Sequence, residues 1–112
     1  MGINKVERHI KCVNFDLSTE KLLEYFPQGT AKAYSAIKRF FLNNGFEHRQ
    51  YSGYISKKPL SDYQTRLITR KLAKQCAWLD ECMKEFDISN APPEKTSAKA
   101  QIREFIAQQN GL

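Results

Sequence analysis

The 112-residue chain is predicted to form an α+β domain with its elements in the order β-α-β-β-α-β. Apolar and polar residues alternate over 9–17, as in a strand with one buried face. Over 30–43 and 61–83 the apolar residues instead recur every three or four positions, which is the period of an amphipathic helix. A tightly connected strand pair is predicted between them, over 46–56. This order is that of the ferredoxin-like split βαβ sheet, with two helices on one face and the other face open.

The first strand, His9 to Leu17, has two different faces. Beyond Lys11 one face is apolar and is expected to contact the helices, whereas the mixed face is expected to be the open one. A small domain with an open sheet face usually covers it by forming a dimer or by binding a ligand. The apolar face carries Val13, Phe15 and Leu17, and the mixed face carries Ile10, Cys12, Asn14 and Asp16.

Two helices are predicted between the first and second strands. A short one over 20–26 stops before Pro27, and a longer one restarts at Gly29-Thr30 and ends at Asn43-Asn44-Gly45. The inner stripe of the longer helix is Ala33, Tyr34, Ile37, Phe40 and Phe41.

The second half of the domain begins with Ser61, which forms a predicted capping box with Gln64. The helix that follows is expected to continue as far as Met83, and a last strand is predicted over 85–89. The inner stripe of this helix is Ile68, Leu72, Gln75 or Cys76, Leu79 and Met83.

These elements place the domain at 9–89, after a flexible arm at 1–8 and before a C-terminal amphipathic helix at 94–110. The breaker Asn90-Ala91-Pro92-Pro93 separates the domain from this helix. Its apolar residues are expected to pack on the same domain, and the alternative is that they dock a partner protein. They include Ile102, Phe105 and Ile106.

The chain is basic, with 18 Lys and Arg against 12 Asp and Glu, and a net charge of +6. Such a charge favours nucleic acid or an acidic protein as partner, although ordinary solubility is an alternative. Arg66, Arg70 and Lys74 recur every four residues, beside Lys71, and predict a basic ridge on the outer face of the helix. This ridge either follows a phosphate backbone or is a solvated helix face.

The three cysteines, Cys12, Cys76 and Cys82, are odd in number and lack the spacing of a zinc site. We expect reduced, buried thiols in a cytoplasmic protein. The sequence contains no apolar run typical of a membrane span, and no nucleophile elbow, Walker loop or dinucleotide fingerprint. These absences exclude most familiar enzyme classes.

Asp16 is the first candidate for chemistry, because a carboxylate at the end of a strand can bind a metal, act as a base or cap the next helix. Position alone favours capping or turn formation. If the open faces of two copies meet, however, two Asp16 side chains could approach each other and bind Mg²⁺.

The strand pair supplies a second set of candidates. Arg49 can hold a phosphate, Tyr51 can stack on a base, and Ser52 can donate to a phosphate oxygen. His48 can act as a general acid or base, although a lone strand histidine is more often structural. Lys58, just before the basic ridge, is a further candidate for substrate binding.

Several short motifs occur in a fixed order over residues 10–88. They are Phe15-Asp16-Leu17, Ala33-Tyr34, Gly45-Phe46, the strand-pair residues Gln50, Ser52 and Tyr54, and Ala77-Trp78. In their order and spacing, these motifs resemble the virulence-associated protein D (VapD) family, small ribonucleases related to the CRISPR-associated Cas2 proteins.

The resemblance implies a ferredoxin-like homodimer with endoribonuclease activity, and some members of the family are toxins paired with an antitoxin. It places the catalytic aspartate at Asp16 and the hydroxyl residue at Ser52. The chain departs from the family at Tyr51, where a glycine is usual, and at Lys84-Glu85-Phe86, where Arg-Asp-Ile is usual. Any acidic role of the latter motif therefore passes to Glu85, or to Asp87 after a shift.

The predicted function is therefore that of an endoribonuclease that binds RNA across a dimer groove. Asp16 either activates water through a metal, for which Mg²⁺ is the candidate, or deprotonates a 2′-hydroxyl directly. Arg49 and Ser52 are expected to steady the scissile phosphate. The alternative is a non-catalytic module of the same fold that binds nucleic acid or protein.

Overall fold

A computed structural model describes residues 6–50, 53–91 and 98–110 of the chain. Its helices and strands, in chain order, are β1 (Lys11–Leu17), α1 (Thr19–Tyr25), α2 (Ala31–Asn43), β2 (Phe46–Gln50), β3 (Gly53–Ser56), α3 (Asp62–Gln75), α4 (Leu79–Cys82), β4 (Met83–Asn90) and α5 (Lys99–Asn110).

The four strands form one sheet in the order β2-β3-β1-β4, and every neighbouring pair is antiparallel. Strands β1 and β2 therefore run in the same direction with β3 between them, and β3 and β4 do so with β1 between them. Each of these pairs is connected through helices, which is the split βαβ arrangement. The predicted α+β, ferredoxin-like class is confirmed.

Strand β1 lies at the centre of the sheet and alternates as predicted. Val13, Phe15 and Leu17 are buried in the core, whereas Asn14 and Asp16 are exposed on the opposite face. The helices cover the first face because their apolar stripes are buried against its apolar side chains.

Aromatic rings dominate the centre of this core. The Phe15 ring lies 5.0 Å from Phe86, and the fully buried Phe41 ring lies 4.8 Å from Tyr54 and 5.2 Å from Phe46. Stacked and edge-on pairs of this kind add to the stabilisation that burial alone provides. Residues from β1, α2, β2, β3 and β4 thus meet in one cluster.

The end of α2 follows the predicted signal. Asn44 donates its side-chain amide to the Phe40 carbonyl at 2.8 Å, and Gly45 adopts φ +85°, a left-handed conformation that glycine tolerates best. The chain can therefore turn directly into β2 at Phe46, which is fully buried.

The second long helix is shorter than predicted, and its expected continuation to Met83 is wrong. Helix α3 ends at Gln75, a turn follows Cys76, and the short helix α4 begins at Leu79. Met83 already pairs with Leu17 as the first residue of β4, and its side chain is 43 % exposed. The apolar spacing alone suggested one helix, but β4 pairs along the whole of β1 and therefore has to begin earlier.

Lys11 is buried at the start of β1, a position that the sequence pattern left unexplained. Its Nζ donates to Asp62 Oδ1 at 2.8 Å and also to Asn90 Oδ1, while its backbone N–H donates to Ser56 Oγ at 2.9 Å. These partners satisfy a charge that would be costly to bury alone. Lys11 thereby connects β1 to the start of α3, the end of β3 and the end of β4.

The start of α3 forms the predicted capping box. The Gln64 backbone N–H donates to Ser61 Oγ at 3.1 Å, and the Ser61 N–H donates to Gln64 Oε1 at 2.9 Å. Two free donors of the first helical turn are satisfied in this way.

Helix α5 leaves its apolar residues exposed, in contrast to the predicted packing on its own domain. Ile102, Phe105 and Ile106 are 54 %, 58 % and 50 % exposed. Residues 94–97 of the predicted tail helix, and 1–5 of the predicted arm, lie outside the described residues.

Candidate active site on the open sheet face

Asp16 lies near the end of β1, on the face of the sheet that no helix covers. Its neighbours in the chain, Phe15 and Leu17, are buried in the core, so their packing fixes the direction of the exposed Asp16 side chain. The pairing of β1 with β4 shifts between Asp16 and Leu17. Irregularities of this kind often redirect side chains next to active sites.

Asp16 is not the cap of the helix that follows it. Ser18 occupies that position, and its Oγ accepts the backbone N–H of Lys21 at 3.2 Å. The capping role that position alone favoured for Asp16 is therefore wrong. Among the described residues, no side chain forms a hydrogen bond or an ion pair with the Asp16 carboxylate.

Strand β4 places two further carboxylates on the same face. Asp16 pairs directly with Glu85, and Asn14 pairs directly with Asp87. All four side chains are exposed. Directly opposed residues of antiparallel strands have Cβ atoms about 5 Å apart, so Asp16 and Glu85 are close neighbours within one copy of the chain. The sequence alone suggested a carboxylate pair only across a dimer.

The open face is acidic even though the chain as a whole is basic. In addition to Asp16, Glu85 and Asp87, Glu47 of β2 lies on this face, because it pairs with Ile55 and Ile55 pairs with Cys12. A phosphate that approaches this face meets like charge, unless a cation lies between them.

A divalent cation fits the chemistry of these side chains. Carboxylate and amide oxygens are hard ligands, and Mg²⁺ commonly binds through one or two carboxylates while it keeps several waters. Within residues 6–50, 53–91 and 98–110, no group of three or more His, Cys, Asp or Glu side chains is arranged to hold a metal. The described residues thus present a pair of neighbouring carboxylates, Asp16 and Glu85, and not a closed metal cage.

Arg49 is the candidate phosphate ligand on this face. Its Nη1 lies 3.9 Å from Cys12 Sγ, so the guanidinium reaches past β3 to β1 on the open side. Along β1, Cys12 and Asp16 are four residues apart, which corresponds to about 13 Å. The structure thus brings Arg49 to the face of Asp16 but not into contact with it.

His48 lies on the other side of the sheet. It pairs with Tyr54, whose ring lies 4.9 Å away and belongs to the buried core. An acid or base role for His48 at Asp16 of the same copy is therefore not supported by its position.

Lys58 is exposed at the end of the sheet where Lys11 lies, and its backbone carbonyl accepts a hydrogen bond from Ser56 Oγ at 2.9 Å. Lys11 and Asp16 are separated by about 17 Å of strand, so Lys58 is also remote from the carboxylates. Ser52 and Tyr51, the predicted hydroxyl and stacking residues, lie outside the described residues.

The basic ridge of Arg66, Arg70, Lys71 and Lys74 is fully on the outside of α3, as predicted. Because α3 covers the core face of the sheet, the ridge and the carboxylates of the open face lie on opposite sides of the domain. The two charged surfaces are therefore separate sites.

No protein-family model matches the chain, and no curated protein matches it in sequence. In the part of the chain that the structure describes, none of the helices has the length and apolar character needed to cross a membrane.

Proposed function

We propose that the protein is a cation-dependent endoribonuclease that acts as a homodimer, with Asp16 as its catalytic carboxylate. The observation that carries this proposal is the direct pairing of Asp16 with Glu85 on an uncovered sheet face. The resemblance to the virulence-associated protein D family, which places a catalytic aspartate at the same position, supports it further.

The residues of the open face would have different roles in the reaction. Asp16 and Glu85 would hold the cation, and Arg49 would bind a phosphate further along the RNA strand. When bound, Mg²⁺ would neutralise charge on the scissile phosphate. Asp16 can also accept the proton of the attacking hydroxyl as the oxygen of that hydroxyl bonds to phosphorus, while the opposite P–O bond breaks and the leaving oxygen takes a proton from water.

Direct deprotonation by Asp16 without a cation is the less favoured route. With Glu85 and Asp87 beside it, an unscreened phosphate would be repelled from the face. The same repulsion would act between two open faces in a dimer, so a cation between them also favours the homodimer.

RNA cleavage by purified variants tests the proposal. We expect Asp16→Asn and Glu85→Gln to fold normally and to lose at least about a hundredfold in cleavage rate with Mg²⁺ present. Glu47→Gln is the matched control, because Glu47 is an exposed acid on the same face that pairs with Ile55 and not with a carboxylate. EDTA should stop the wild-type reaction.

A measurement that does not depend on enzymatic activity distinguishes loss of metal binding from loss of catalysis. Millimolar Mg²⁺ should raise the melting temperature of the wild type and of Glu47→Gln, but not that of Asp16→Asn/Glu85→Gln. Wild-type cleavage by folded Asp16→Asn protein would contradict the catalytic role. Full activity in EDTA would contradict the cation.

The second candidate function is nucleic-acid binding without catalysis, and the exposed ridge on α3 favours it. Its sign would be binding that weakens steeply with salt and yields no cleavage product on long incubation. Arg70→Gln/Lys74→Gln should then weaken binding of all sequences alike, whereas Asp16→Asn should leave it unchanged.

A further inference from the structure

An apolar groove lies on the helix side of the domain, between α3 and β4. Its volume is about 480 Å³. Leu72 and Leu79 form its buried floor, Ala73 and Ala77 leave it open because their side chains are small, and Met83 is 43 % exposed at its edge. Within the described residues nothing fills this groove, so its apolar lining is left in contact with water.

Helix α5 carries apolar residues of the kind that such a groove accepts. Ile102, Phe105 and Ile106 stand at positions i, i+3 and i+4, so they form one stripe along the helix. Each is at least half exposed. Helices that dock in grooves commonly insert anchors at this spacing.

Charge supports the same pairing. The rim of the groove carries Asp80, with Glu81 next in the chain, and both are exposed. Lys99 and Arg103 lie four residues apart on one flank of α5, beside the apolar stripe. A helix seated in the groove can therefore bring a basic flank to an acidic rim.

Helix α5 leaves the groove of its own copy open, since residues 101–109 are all exposed and none of them lines the groove. A helix that leaves its own groove open can reach the groove of a second copy, and the second copy can return the contact. Such a reciprocal exchange buries both stripes and closes with twofold symmetry.

We propose that two copies of the chain exchange their C-terminal helices, each α5 docking through Ile102, Phe105 and Ile106 in the α3–β4 groove of the other copy. This interface lies on the helix side of the sheet, so it is distinct from any pairing of the open faces. It does not depend on the chain being a ribonuclease.

Sedimentation of the full chain over a range of concentrations tests the exchange, in EDTA so that the cation-dependent pairing of the open faces does not contribute. The wild type should form a dimer, and Phe105→Asp/Ile106→Asp should raise its dissociation constant by about tenfold or more. The control is Ala107→Asp, which adds a charge to the side of the same helix that faces away from the stripe. Because Phe105, Ile106 and Ala107 are all exposed, the circular dichroism of the domain should stay unchanged in both variants.

A mixing experiment identifies the groove. Ala73→Asp adds a charge to the groove at an exposed position. By itself this variant should form a weaker dimer than the wild type. An equimolar mixture of Ala73→Asp and Phe105→Asp/Ile106→Asp should form heterodimers, because each such pair retains one intact helix and one intact groove.

The other outcomes overturn the proposal. A wild type that is monomeric at all concentrations would indicate that α5 docks in its own groove or in a different protein. A dimer unaffected by Phe105→Asp/Ile106→Asp would place the interface elsewhere, such as on the open faces. Variants of α5 that dissociate the dimer while Ala73→Asp does not would show that the helix docks outside the groove. Loss of ribonuclease activity in Asp16→Asn bears on none of these results.

Discussion

Asp16 and Glu85 stand directly opposite each other in the antiparallel pair of β1 and β4, both exposed on the open face of the sheet. Like charges in this position destabilise a sheet, because their side chains are held about 5 Å apart. Asp87 is a diagonal neighbour of the same sign. The repulsion between these carboxylates therefore destabilises the folded chain, although two of them form the proposed cation site.

Removing one charge of this pair should stabilise the fold although it slows cleavage at least about a hundredfold. In the absence of divalent cations and at low salt, we expect Glu85→Gln to raise the free energy of unfolding by about 0.2–1 kcal/mol. The gain should disappear at 1 M salt, where charges on the surface are screened. Urea unfolding at both salt concentrations measures it, with Glu47→Gln as the control. Destabilisation by Glu85→Gln would indicate that the residue makes a favourable contact instead.

The aromatic centre of the core should be sensitive to truncation. Phe41 is fully buried among Phe46, Tyr54 and Phe86, so Phe41→Ala should cost about 3–5 kcal/mol of unfolding free energy. Leu42→Ala, one residue later and 44 % exposed, should cost less than about 1 kcal/mol. Equal losses from the two variants in chemical denaturation would contradict the assigned faces of α2.

Stability should fall in acid partly through Asp62. The hydrogen bond from Lys11, together with the charge of that lysine, holds the pKa of the Asp62 carboxyl below its usual range. Because the pKa is lower in the folded chain than in the unfolded chain, this contribution is present above the unfolded pKa. It is lost as the pH falls below about 4, through the folded pKa.

Asp62→Asn should therefore be less stable than the wild type near neutral pH, with a difference that shrinks as the pH falls below about 4. Thermal unfolding at a series of pH values measures this difference. Glu104→Gln, an exposed acid of α5, is the control and should show no such convergence. A difference that is constant with pH would mean that Lys11 does not stabilise the Asp62 carboxylate.

The two cysteines of the helical segment should react slowly in the folded chain. Burial raises the pKa of both the Cys76 and Cys82 thiols, and the nearby Glu81 charge adds to the rise for Cys82. At pH 8 we expect alkylation of each to be at least about tenfold slower than in denaturant. Mass spectrometry of the peptides after timed labelling measures both rates. Rapid labelling of Cys82 in the native state would contradict its burial.

Much of the fold was predictable because its signals are local. The alternation of β1 follows from the two faces of any strand, and the capping box at Ser61 and the turn at Gly45 depend only on residues a few positions apart. The buried state of all three cysteines also agrees with the prediction. These features require no knowledge of which strands are neighbours.

The site depends on long-range pairing, which local patterns do not contain. Nothing near Asp16 in the chain indicates that Glu85 lies beside it, because the register of β1 against β4 is set by burial of Phe15 against Phe86. Because of the same pairing, β4 begins at Met83 and the long helix ends at Gln75, both earlier than the sequence pattern predicted. Local spacing thus predicted the faces of the strands and helices, whereas the packing of the core decided which charged side chains share the open face.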